Sequence, residues 1–181
     1  MPSVANTCGS TTHVSPLLRK TKRLGLATPD SLLRLAVARG CDHYAPADYD
    51  KVQVDDPGAD RLSDEELGMA MISGAQEYDP QLMRCAAQLF SGPDLDTAVL
   101  ARLATMERCE PVLGYIAEQA GKWDEGREAF WDALVAALPH HEGYASTAWP
   151  HPSRFMLQSG YRRGGGAPKP VWLRPRSQPC P

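Results

Sequence analysis

Apolar residues recur at helical spacing through the middle of this chain and lose their period towards both ends. Between Leu62 and Pro139 five amphipathic runs alternate with short polar or glycine-proline links, which predicts five helices of about ten to fifteen residues. The first carries a clear start signal: Ser63 and Glu66 are spaced as a capping box, with Leu62 and Leu67 placed as a hydrophobic staple around it. Asp79-Pro80 opens the second, where Leu82, Cys85, Ala86, Leu89 and Phe90 share a face until Gly92-Pro93 ends it. Asp94 or Asp96 caps the third, with Val99, Leu100, Leu103 and Met106 facing inward.

The last two runs read as a helix pair across a tight turn. Pro111 suits a first helical turn, Val112, Leu113, Ile116, Ala117 and Ala120 form one stripe, and Gly121 supplies the stop. Asp124 then caps a second helix whose Phe130, Leu134, Ala137 and Leu138 face the first, ended by Pro139. Upstream, Thr28-Pro29-Asp30 starts a shorter helix with Leu32, Leu35, Ala36 and Arg39, closed by Gly40. Short links set each helix beside its predecessor. The fold class expected is all-α: an irregular bundle or short stack of antiparallel helix pairs, with extended or partly disordered arms at both ends.

The chain divides accordingly. Residues 1–27 are polar and aperiodic, a disordered basic segment with room for a helical turn around Leu17 to Leu24. Residues 28–139 form the helical domain, interrupted by a loop from Cys41 to Asp60 in which Lys51 to Asp55 is at most an edge strand. Residues 140–181 are a Pro/Gly/Arg-rich arm. There Arg154 to Gln158 and Val171 to Leu173 either pair as a small hairpin across Arg162 to Gly166 or wrap the body as an extended arm. Phe155, Tyr161 and Trp172 are too apolar for an idle tail and are expected to dock, on this chain or on another.

The run from Glu110 to Pro139, EPVLGYIAEQAGKWDEGREAFWDALVAALP, resembles one unit of the tetratricopeptide family. Leu113-Gly114 stands as the Leu-Gly of the first helix, Gly121 as the turn glycine, Phe130 as the aromatic of the second helix, Ala133 as its small contact and Pro139 as the closing proline. Glu110, Ala117 and Gly126 depart from the family pattern, and the match covers one repeat only. The resemblance implies binding of a protein or peptide on a helix-lined surface. Trp123 and Trp131 are the candidate anchors for it, because tryptophan is favoured at binding hot spots.

Charge adds a second possibility. Net charge is only −3, yet residues 1–40 hold six Lys/Arg against one acid, residues 41–150 seven against 21, and residues 151–181 six against none. The basic ends either fold onto the acidic body or reach for an anionic partner. Arg19, Lys20, Lys22, Arg23, Arg162, Arg163, Arg174 and Arg176, interleaved with Phe155, Tyr161 and Trp172, suit single-stranded nucleic acid, where cations neutralise phosphate and rings stack on bases. The first 29 residues also lack any acid and carry eight Ser/Thr, a composition shared by organelle transit segments and disordered basic ends.

Chemistry-bearing patterns are few. Cys41 and His43 share a loop, the minimum for an activated thiol or half a zinc site, with His140, His141 and His151 as conceivable partners. Asp64, Glu65 and Glu66 are explained by the helix start they occupy. Asp55, Asp56 and Asp60 lack the ligand order of a calcium loop, and no phosphate-loop, dinucleotide, nucleophile-elbow or zinc-protease motif occurs. Five cysteines without C-x-x-C spacing point to a reducing, cytoplasmic setting. No apolar run reaches the roughly 18 residues a bilayer span needs. The expectation is a non-catalytic helical binder of protein or peptide that needs no cofactor or membrane. The alternatives are a nucleic-acid binder using the basic arms and an enzyme using the Cys41/His43 loop.

Overall fold

The structure, a computed structural model, describes residues 15–44, 61–74, 77–139, 149–158 and 170–176. Among them are seven α-helices: α1 (Pro16–Arg23), α2 (Pro29–Ala38), α3 (Asp64–Ile72), α4 (Pro80–Phe90), α5 (Thr97–Glu107), α6 (Glu110–Trp123) and α7 (Glu128–Ala137). A 3-10 turn, Pro152–Phe155, leads into β1 (Met156–Gln158), which pairs antiparallel with β2 (Pro170–Trp172). The expected all-α bundle of helix pairs is the architecture observed.

Local chemistry starts most of these helices. Ser63 Oγ accepts the Glu66 N–H while the Glu66 carboxylate accepts the Ser63 N–H, so two amides left bare at the α3 terminus are satisfied reciprocally. Thr28 and Ser31 do the same for α2. Asp79 and Asp96 accept two amides each at the starts of α4 and α5. Neither α6 nor α7 has a side-chain cap, so packing holds that pair.

The core is built on α3 and α4. Every residue from Leu67 to Ile72 is buried, and in α4 only Pro80, Gln81 and Arg84 are not. The two helices approach closely because the Phe90 ring occupies the space a side chain on Gly68 would fill. The α5 helix packs on both α3 and α7, and so joins this pair to the α6–α7 pair.

The α1 helix docks on α3, burying Leu17 and Thr21, so the helical turn expected near Leu17 is a full helix fastened to the body. One of its fastening points is Glu107. This buried carboxylate accepts the Leu17 N–H at 3.3 Å and the Ser73 hydroxyl at 2.8 Å.

Several expectations for the helix pair are corrected. Gly121 does not stop α6 but lies within it, where a side-chain carbon added to it would stand at ordinary contact distance, 3.5 Å, from Trp131 Cβ. The turn runs from Asp124 to Arg127, with Gly126 at a φ of 83°. Asp124 ends α6 instead of capping α7. The inward stripe of α7 is Trp131, Leu134 and Leu138; Phe130 is half-buried, and Ala133 and Ala137 are exposed. Met106, placed inward by its spacing, is 50% exposed in the last turn of α5.

The C-terminal aromatics dock on their own chain. Phe155 and Trp172 are buried, stack at 5.6 Å with 22° between their planes, and Trp172 Nε1 donates to Ser91 Oγ at 2.7 Å. Burying each ring stabilises the contact by roughly 1.5–3 kcal/mol. The hairpin is the small one expected, registered with Met156 opposite Trp172 and Leu157 opposite Val171. The proposed edge strand from Lys51 to Asp55, together with Tyr161, lies outside the described residues. No helix among the described residues is long and apolar enough to cross a membrane.

Candidate protein-binding groove

The end of α6, the turn that follows it and the β-hairpin meet around one buried carboxylate. Asp124 Oδ2 accepts the Trp131 indole N–H at 2.9 Å, and Oδ1 accepts Arg174 Nε at 2.7 Å. Arg174 also donates to the Glu125 carbonyl at 2.7 Å, while its own carbonyl accepts Gln88 Nε2 at 3.0 Å. Two residues on, the Arg176 N–H donates to the Gly40 carbonyl at 2.9 Å and its guanidinium pairs with Asp42 at 2.6 Å. Residues 170–176 therefore cross α4 and reach the end of α2 as a strap. Gly40, at a φ of 89°, has backbone of Arg176 where a side chain would stand.

The turn itself is braced. Arg127 donates to the Gly92 carbonyl and lies 4.2 Å over the Phe130 ring; partial burial lowers its pKa, opposed by neighbouring Asp124. The Gly126 N–H donates to the exposed Glu128 carboxylate at 3.0 Å, which holds that carboxyl below its usual pKa.

Strand alternation then decides what faces out. Met156 and Trp172 point to the body, so their neighbours Leu157 and Val171 point away and form an uncovered cross-strand pair. Leu157 is 45%, Val171 47% and Trp123 40% exposed. All three line one open groove of about 470 Å³, together with Trp172 and Arg174. Only two other large apolar side chains among the described residues are comparably exposed.

The sequence candidates separate on this geometry. Trp123 lines the groove. Trp131 does not: it is fully buried and bonded to Asp124, so it is a core residue and offers no surface to a partner. Lys20 contacts both oxygens of Glu66 at 2.6 Å, and Arg174 and Arg176 are paired as described. Three of the basic candidates thus neutralise the acidic body. Arg19, Lys22 and Arg23 are exposed on α1, and Arg162 and Arg163 lie outside the described residues.

The two residues of the Cys41/His43 loop sit in different surroundings. Cys41 is fully buried, its thiol held protonated by its contact with Cys85 and by burial, while His43 is exposed and meets Tyr44 edge to face at 4.9 Å. Cys109 is likewise buried with a raised pKa, chiefly from desolvation. No group of three His, Cys, Asp or Glu among the described residues could hold a metal ion. His151 Nδ1 is 2.9 Å from Ser153 Oγ, and His140 and His141 lie outside the described residues.

Sequence reasoning missed Asp124 as a hub, since an acid beside a turn reads first as a cap. It also missed Leu157 and Val171. Their signal was the strand alternation about Met156 and Trp172, legible only once the hairpin register is known. No family model matches the chain, and neither a curated protein nor a solved structure matches it significantly.

Proposed function

We propose that this chain is a non-catalytic helical protein that binds another protein or a peptide through the groove between the α6 end and the hairpin. The observation that carries the reading is the gathering of Trp123, Leu157 and Val171, three of the most exposed large apolar residues, around one open groove. Water-exposed apolar surface that is contiguous marks contact sites, and a tryptophan beside a half-exposed arginine is the composition of a binding hot spot. Ion-pairing of Lys20, Arg174 and Arg176 with the body leaves the nucleic-acid alternative with fewer free cations.

The test has two stages. Affinity capture with the full chain identifies a partner, and titration of the two purified components then measures affinity for wild type and Trp123→Ala. Loss of a hot-spot tryptophan weakens binding by roughly 2 kcal/mol, or about thirtyfold. A complex of unchanged affinity, with helicity intact in the variant, refutes the proposal.

A further inference from the structure

A second concavity lies at the other end of α6, between the end of α3 and the start of α4. Val112 lines it and Trp123 lines the groove, so about 16 Å of helix separates the two. The pocket encloses about 320 Å³, at the lower end of the range typical of small-ligand sites. Met71, Ile72, Met83 and Val112 form an apolar wall. Thioether side chains adapt readily to a ligand's shape.

Around that wall stand two rings and two acids. Tyr78 is 44% exposed, with its hydroxyl 3.9 Å from Met83 Sδ, and Trp149 is held against Tyr115 at a ring separation of 5.1 Å. Tyr115 is itself anchored, donating to the Pro150 carbonyl at 2.7 Å. Glu77 and Asp79 complete the lining; Asp79 Oδ1 accepts the Gln81 N–H at 2.7 Å, so its carboxylate is fixed in place. Behind Ser73 sits the buried Glu107 carboxylate, to which the Ser73 hydroxyl is committed.

No lysine or arginine is among the lining residues. The cation near Tyr78, Arg84, is directed elsewhere: its guanidinium lies 5.1 Å over the Tyr44 ring and its Nε donates to the Pro80 carbonyl. An anionic ligand would meet the Glu77 and Asp79 carboxylates here. Aromatic faces attract cations, most strongly quaternary ammonium groups that carry little hydration, and carboxylates add to that attraction.

We propose that this pocket binds an organic cation with an apolar body, its methylated ammonium group held by Tyr78 and Trp149 beside Glu77 and Asp79. The same chemistry is offered by a free choline-like molecule and by a trimethylated lysine side chain.

Calorimetric titration of the full chain with choline, with its neutral carbon isostere 3,3-dimethylbutanol, and with a peptide carrying one trimethyllysine tests the proposal. Saturable binding of a cation, at least about tenfold tighter than the isostere, is expected. Tighter binding of choline assigns the site to a free ligand, and tighter binding of the peptide assigns it to a modified protein. Tyr78→Leu and Glu77→Gln alter exposed residues and are expected to keep the wild-type circular dichroism spectrum while weakening cation binding severalfold. Equal binding of the isostere, unchanged affinity in both variants, or no saturable binding of either cation overturns the proposal.

Discussion

Replacing Asp124 by alanine tests the hub that joins the helix pair to the C-terminal strap. The side chain is 1% exposed and holds two partners of different kinds: the indole N–H of Trp131, itself fully buried, and the guanidinium of Arg174, whose side chain is 47% exposed. Removing the carboxylate leaves the buried Trp131 N–H without its acceptor, which costs roughly 1–3 kcal/mol. Arg174 regains water on its open side, so its lost pairing adds only about 0.5–1 kcal/mol. The two together predict about 3 kcal/mol of lost stability. With a urea dependence of about 2 kcal/mol per molar, the unfolding midpoint falls by roughly 1.5 M. Asp124→Asn keeps an acceptor for Trp131 and is expected to cost less. A double-mutant cycle with Arg174→Ala should return a coupling of about 1 kcal/mol, since the residues are in direct contact. A midpoint shift below about 0.5 M for Asp124→Ala, or a coupling of zero, would refute the reasoning.

The other predictions concern buried groups away from the groove. Glu107→Ala removes the acceptor for the Leu17 N–H and the Ser73 hydroxyl, so α1 should detach before the body unfolds; trypsin cleavage at Arg19, Lys20, Lys22 and Arg23 should accelerate severalfold, and unchanged cleavage would sink the idea. Cys41 and Cys109 have raised pKa values, so their thiols should resist iodoacetamide at pH 8 in the native chain and react only on unfolding. The sign for stability follows: the unfolded chain loses these protons first, near the ordinary thiol value of about 8.5. Folded stability should therefore decline as pH rises above that value, and a flat urea midpoint between pH 8 and 10 would contradict this.

Where α3, α4 and α5 begin was legible in the residues themselves. Ser63 with Glu66, Asp79 with Pro80 and Asp96 satisfy nearby amides through their own side chains, an interaction that spans three residues and needs no tertiary partner. The inward face of α4 was equally clear, since Leu82, Cys85, Ala86, Leu89 and Phe90 recur at helical spacing and all are buried. The pairing of the hairpin was one of two arrangements the arm allowed, and the rings of Phe155 and Trp172 made docking the expectation in both.

Only the tertiary structure decided what the α6–α7 turn does. A glycine near a helix end is either a stop or an interior residue, and the continuation of α6 to Trp123 makes Gly121 interior. An aspartate after a helix is either a cap or a buried acceptor, and the arrival of Arg174, fifty positions away in sequence, makes Asp124 the acceptor. The groove has the same origin. Trp123 and Trp131 are alike as residues, yet the hairpin leaves one at the surface while the facing helix buries the other. Short-range hydrogen bonding and periodicity are written locally in a chain. Which apolar side chain stays wet depends on what long-range packing happens to cover.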